Sequence, residues 1–139
     1  MTDHRNPEQL LRKLQKEEQR KNRGTLKIFF GYAAGVGKTY AMLEAAHEAQ
    51  SQGIDVVAGY IEPHTRPETL ALLNGLELLP VMKVHHGDMD LREFDLDEAL
   101  RRRPKLILVD ELAHTNAPQC RHQKRYQDVQ ELLKSGIDV

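Results

Sequence analysis

The chain has a single cysteine, Cys120, among 139 residues. No intrachain disulfide can form, which agrees with a reducing compartment and excludes the small disulfide-stapled scaffolds. No apolar run approaches the roughly 20 residues that a membrane-spanning helix needs. The opening MTDHRNPEQL lacks the apolar centre of a signal peptide, so a cytosolic location is the default expectation. Neither sign of charge is in excess: 20 Lys and Arg against 21 Asp and Glu leave a formal net charge of −1. No whole-chain field therefore favours nucleic acid. Internal repeats, low-complexity segments and a hydrolase-type nucleophile motif are absent too. What is present, 40% hydrophobic and 29% charged residues, suits one small globular domain with a single core.

The chain alternates between two periodicities. Residues 1–24 form a polar leader. Asn6 is its N-cap, Pro7 lies in its first turn, and Leu10, Leu11 and Leu14 make a short apolar stripe before a solvated tail. The domain proper runs over residues 25–139. LKIFF, residues 26–30, reads as a buried strand stopped by Gly31. Met42, Ala45, Ala46 and Ala49, with Leu43 beside them, form one face of a helix that Gly53 ends. IDVVAGYI, residues 54–61, is a second strand. Thr65, Pro67 and Glu68 suggest a capping box that opens a short helix through Leu73. LPVMKVHH, residues 79–86, is a third strand. Asp95 and Glu98 form another capping box, and Arg101, Arg102 and Arg103 suit the carbonyl end of that helix. KLILVD, residues 105–110, is a fourth strand. A helix is expected from Arg121 to Lys134, with Tyr126, Val129, Leu132 and Leu133 inward, and IDV begins a fifth strand. Alternating strands and helices imply parallel pairing. The expected architecture is α/β: a P-loop NTPase-like, doubly wound parallel sheet of about five strands flanked by helices. The last strand is cut short, as in a fragment of a longer protein.

The stretch GYAAGVGKTY carries the chemistry. A phosphate-binding loop follows G-x-x-x-x-G-K-[ST]. Here the leading glycine is one residue early, at Gly31, and Tyr32 stands in its place. The context is nevertheless right, because a hydrophobic strand enters the loop and an amphipathic helix leaves it. Ala33, Ala34, Gly35, Val36 and Gly37 allow the backbone to approach an anion closely. Lys38 is placed to reach the β- and γ-phosphates of ATP, Thr39 to ligate Mg²⁺, and Tyr40 to flank the site. Such a site also needs a carboxylate at the end of another strand. LILVDE supplies Asp110 for the metal and then Glu111, placed to orient or deprotonate a water.

Weaker candidates stand at other strand ends. Glu62, His64 and Arg66 follow the second strand, and His114, Thr115 and Asn116 follow Glu111. Arg121, His122, Lys124 and Arg125 crowd the start of the last helix, where a solvated basic face is the ordinary outcome. His85 and His86 adjoin Asp88, but neighbouring histidines on a strand face opposite ways and no Cys/His spacing completes a zinc site.

GYAAGVGKTYAML, GYIEPHTRPET, LILVDELAHTNAP and RHQKRYQDVQELLKSGIDV together closely resemble the N-terminal cytoplasmic domain of KdpD-type potassium-sensor histidine kinases. The resemblance runs from about Gly24 to Val139. It implies ATP and Mg²⁺ as ligands, with Gly37, Lys38, Thr39 and Asp110 as the matching positions. It also makes the shifted glycine a family trait. It implies a longer parent at the bacterial cell membrane, with a universal-stress-like domain, four membrane spans, a GAF-like domain and a kinase core that acts on a response regulator. None of those parts is in this sequence, so direct contact with membrane or nucleic acid is not expected. The regulatory reading has two competitors. One is a small P-loop NTPase or thymidine-kinase-like phosphotransferase, and the other is a docking platform with a vestigial site.

Overall fold

A computed structural model describes residues 7–13, 23–30, 37–63 and 65–139. Residues 7–13 are helical (α1) and exposed, Leu10 and Leu11 included; Asn6 and Leu14 lie outside the described residues. The order continues α2 (Lys38–Ser51), β1 (Val56–Tyr60), α3 (Pro67–Leu70), a 3-10 turn (Ala71–Leu73) and β2 (Glu77–Leu78). Then come β3 (Met82–His86), β4 (Met89–Glu93), α4 (Leu96–Arg102), β5 (Leu106–Val109) and α5 (Arg125–Lys134).

The organising sheet is parallel, in the order β2-β1-β5. Every residue of β1 is buried, as a strand covered on both faces requires. Alternation sends its side chains into two cores. Val56 and Ala58 join Leu108 and the α2 residues Leu43 and Ala46 on one face. Val57 and Tyr60 join Ile107, Phe94, Leu96 and the α5 residue Leu132 on the other. The expected face of α2 is the one that packs. Its first residue is thereby held at the carboxyl edge of the sheet.

Several expectations need correction. Among the described residues the strands do not form one parallel sheet of about five: three pair in parallel and two pair separately. Pro80 ends the 79–86 stretch as a sheet strand after Leu79 N donates to Ala58 O at 2.9 Å. The chain then leaves to build an antiparallel hairpin of β3 and β4, in register from Met82 opposite Glu93 to His86 opposite Met89. Residues 26–30 are not a buried strand. Among the described residues they join the sheet only at their start, through Lys27 N to Val139 O (2.9 Å) and Val139 N to Thr25 O (3.0 Å). Leu26 and Ile28 are more than 40% exposed and Phe30 is 89% exposed. IDV makes a single parallel bridge, Asp138 to Leu106.

The helix termini also differ in part. Asp95 caps α4 as expected, accepting from Glu98 N at 3.1 Å. Thr65 caps nothing: its hydroxyl donates back to Glu62 O, and Arg66 is the residue before α3. The last helix starts at Arg125, where the Gln127 side chain accepts from Lys124 N at 2.9 Å. Tyr126 is not inward but 45% exposed.

Candidate functional site

Two chain ends meet at the carboxyl edge of the parallel sheet. Gly37 precedes α2 with φ 73°, a left-handed conformation that suits glycine, and offers the helix no side-chain cap. The first amides of this 14-residue helix receive no cap from the Gly37 side. Gly31, Tyr32, Ala33, Ala34, Gly35 and Val36 lie outside the described residues. Opposite, four apolar residues carry β5 to its end and leave Asp110 there, 3% exposed, its amide bonded to Tyr60 O at 2.9 Å.

Lys38 spans the gap. Its Nζ lies 3.2 Å from Asp110 Oδ1. The same oxygen accepts from Glu111 N at 3.0 Å, and Oδ2 accepts from Glu62 N at 3.1 Å. The carboxylate is thus fixed by two backbone amides and faces one ammonium. Thr39 is buried next to Lys38, and Tyr40 is turned outward. Glu111 adopts φ 59°, which points the chain sharply away from β5. Its carboxyl is 38% exposed and lies 3.6 Å from Arg125 Nη1.

Arg125 departs most from expectation. A solvated basic face is the ordinary outcome at a helix start, yet its side chain is completely buried. Nη2 donates to Glu93 Oε2 at 3.1 Å and Nη1 to Asp110 O at 3.2 Å. The guanidinium lies 4.1 Å over the Tyr60 ring, a cation–π contact. Nε has no partner among the described residues. Glu93, the last residue of β4, also faces His114 Nε2 at 3.0 Å. The guanidinium therefore ties the end of β5 to the hairpin. Burial pushes the Tyr60 phenol up, with the Arg125 charge opposing. Beside it, Asn116 Nδ2 donates to Asp128 Oδ2 at 2.9 Å, and burial pushes that carboxyl up as well.

The remaining candidates disperse. Arg66 is exposed on the approach to α3, and His64 lies outside the described residues. Arg121 pairs with Asp97 and Glu131. Lys124 Nζ bonds the Thr115 hydroxyl at 2.5 Å. His85 and His86 are exposed, and the described residues contain no cluster of three His, Cys, Asp or Glu side chains able to hold a metal. Glu93, Tyr60 and Asp128 are absent from the sequence-based candidates. One signal pointed to Glu93: Gly87-Asp88 between the apolar alternations of 82–86 and 89–93 is a two-residue hairpin signature.

The arrangement brings a helix N-terminus, a primary amine and an amide-fixed carboxylate into one small space. The first two attract a polyanion, and the third attracts a hard divalent cation.

A family model described as "KdpD: Osmosensitive K+ channel His kinase sensor domain" matches residues 22–139. A sensor protein KdpD of Clostridium acetobutylicum is 60% identical over 133 residues, covering 96% of this chain and 15% of that protein. A sensor protein KdpD of Escherichia coli K12 is 56% identical over 118 residues, 85% of this chain and 13% of that protein. One from Mycobacterium tuberculosis is 50% identical over 117 residues, 84% of this chain and 14% of that protein. The chain thus spans about one seventh of the length of these relatives.

Proposed function

The chain belongs to the family of KdpD sensor domains of osmosensitive K+ channel histidine kinases, and from that premise we propose that it is an ATP-binding regulatory domain. In this reading nucleotide binding biases the kinase and phosphatase output of a two-component potassium and turgor sensor. That output belongs to the rest of the parent protein, in cis, and passes to a response regulator. The domain works at the cytoplasmic face of the bacterial inner membrane. No described helix is long and apolar enough to cross a membrane itself.

The observation that carries this is the 3.2 Å approach of the Lys38 amine to the Asp110 carboxylate, beside the uncapped start of α2. Lys38, the α2 amides and the loop from Gly31 to Val36 would hold the phosphates of ATP. Thr39 and Asp110 would hold Mg²⁺. These residues suit the ion: Mg²⁺ is commonly bound by one or two oxygen side chains completed by substrate phosphates, which needs no all-protein cage. When bound, the ion neutralises phosphate charge. The chain's own task is positioning. The Glu62 and Glu111 amides fix the carboxylate, and Lys38 exchanges its contact with Asp110 for phosphate oxygens. Regulation then requires different affinity for two conformations. The Arg125–Glu93 contact offers a physical link from the strand end to the hairpin.

Titration calorimetry with Mg·ATP tests the reading. A charge-assisted hydrogen bond contributes about 1.5–3 kcal/mol, so Lys38→Ala should weaken binding about 10- to 150-fold. No heat with either protein rejects the proposal. A second reading, a small NTPase or a thymidine-kinase-like phosphotransferase, draws on Glu111 lying beside Asp110 with a part-exposed carboxyl. Steady phosphate release that Glu111→Gln abolishes would favour that reading over a purely regulatory one.

A further inference from the structure

Among the described residues, only Arg103 and Glu111 carry a left-handed φ without being glycine. Arg103 ends α4, where a left-handed cap is ordinary. Glu111, with φ 59°, ends no helix. A side chain in that conformation costs energy, and it persists only where the surroundings over-determine it. Here the surroundings are Arg125.

The peptide between Asp110 and Glu111 is planar, so its carbonyl and its amide point opposite ways. The carbonyl, Asp110 O, accepts from Arg125 Nη1 at 3.2 Å. The amide, Glu111 N, donates to Asp110 Oδ1 at 3.0 Å. That oxygen is the one facing Lys38 Nζ. Turning the peptide over breaks both bonds at once, and it also carries φ of Glu111 out of the left-handed region. Local strain therefore favours the flip, and the hydrogen bonds oppose it. Arg125 grips the turn at two further points. Its backbone N donates to His114 O at 3.0 Å, and His114 N donates to Glu111 O at 3.0 Å, which closes the turn onto the start of α5. Its Nη1 also lies 3.6 Å from the Glu111 carboxyl. The guanidinium is itself fixed, by Glu93 on Nη2 and by the Tyr60 ring beneath it.

We propose that Arg125 is a positioning residue for the metal-binding carboxylate. It touches neither nucleotide nor ion. By holding the Asp110–Glu111 peptide it keeps the Glu111 amide on Asp110 Oδ1, and so keeps the carboxylate aimed at the space beside Lys38. The inference rests on the reading of Asp110 as an Mg²⁺ ligand. It goes beyond that reading by giving a metal-directed task to a fully buried side chain 15 residues further along the chain. Groups that hold a metal-ligating carboxylate in place commonly set about 10- to 100-fold of metal affinity.

The test compares the wild type, the double variant Arg125→Met with Glu93→Leu, and a triple variant that adds Glu111→Gly. The double variant removes the hydrogen bond without stranding a buried charge. Glycine adopts φ 59° without strain, so with it the turn needs no grip. Amide exchange is read by NMR in the nucleotide-free proteins, and ATP affinity is measured with and without Mg²⁺. In the double variant, protection of the Glu111 amide should fall about tenfold or more, while Val57 in β1 keeps its own. The gain in ATP affinity that Mg²⁺ confers should fall about 10- to 100-fold. The glycine should restore most of both. Unchanged Glu111 protection overturns the proposal. So does a loss that glycine does not restore, since Arg125 would then serve packing alone. An undiminished Mg²⁺ gain in a double variant that still binds ATP overturns it as well. If protection falls and returns as described but the wild type binds neither ATP nor Mg·ATP, the grip of Arg125 on the turn stands and the proposed function falls.

Discussion

The parallel sheet holds an arginine between two acids at each of its edges, and the two arrangements differ in nearly everything except composition. At the amino edge Arg102 bonds Asp55 twice, at 2.7 and 2.8 Å, and Glu77 twice, at 2.7 and 3.0 Å. Its side chain is 30% exposed, and both acids are half exposed. At the carboxyl edge Arg125 is fully buried between Glu93 and Glu111, with longer contacts and an unpartnered Nε. The better geometry belongs to the pair that matters less. Water solvates the acids of the amino edge whenever Arg102 lets go, so little is at stake there. Glu93 has no such alternative. Satisfied geometry thus marks a clasp on the rim, and imperfect buried geometry marks the edge where the chain keeps its candidate chemistry.

Breaking the buried pair should have the largest effect. Arg125→Ala leaves the buried Glu93 with only its His114 contact and should cost about 3–5 kcal/mol in urea unfolding. The double variant Arg125→Met with Glu93→Leu should recover most of that loss. A loss below about 1 kcal/mol in the single variant would mean that the hairpin is not tied to the site through this pair. Next is Lys38→Ala, whose expected 10- to 150-fold effect falls on Mg·ATP affinity and leaves stability nearly unchanged.

The pH responses of the two edges should have opposite signs. Hydrogen bonds from Arg102 hold the Asp55 and Glu77 carboxyls below their ordinary range. The stability they contribute is present above the unfolded values and lost as pH falls through the lowered ones. Burial instead raises Asp128, against the Asn116 hydrogen bond and the His122 and Arg125 charges. Its contribution is present at low pH and lost as pH rises through the raised value. Asp128→Asn should therefore gain on the wild type between acid and neutral pH in thermal melts. The smallest effect is that of Arg102→Ala: a slight loss at neutral pH that vanishes in acid. If that loss persists in acid, the clasp is not electrostatic.

Much of this is readable in the residues. Apolar runs at β1 and β5, the α2 face and the Asp95 cap each rest on one local pattern, and each forms. Asp110 stands out because four apolar residues leave it at a strand end. The failures share a cause of a different kind. LKIFF has the composition of an interior strand, but a strand is interior only when both neighbours are present, and among the described residues this stretch joins the sheet only through Val139. Pro80 diverts the third strand into a hairpin, a choice settled by which partner β3 meets. Arg125 looks like any cation at a helix start. Only the fold brings Glu93, 32 residues away in sequence, to its guanidinium.

Chemical-shift mapping on addition of Mg·ATP compares the two edges in one experiment. Binding at the candidate site requires the largest changes at the amides of Lys38, Thr39, Tyr40, Asp110 and Glu111, with Asp55, Glu77 and Arg102 undisturbed. Changes centred on the Arg102 edge, or none at saturating nucleotide, would contradict it.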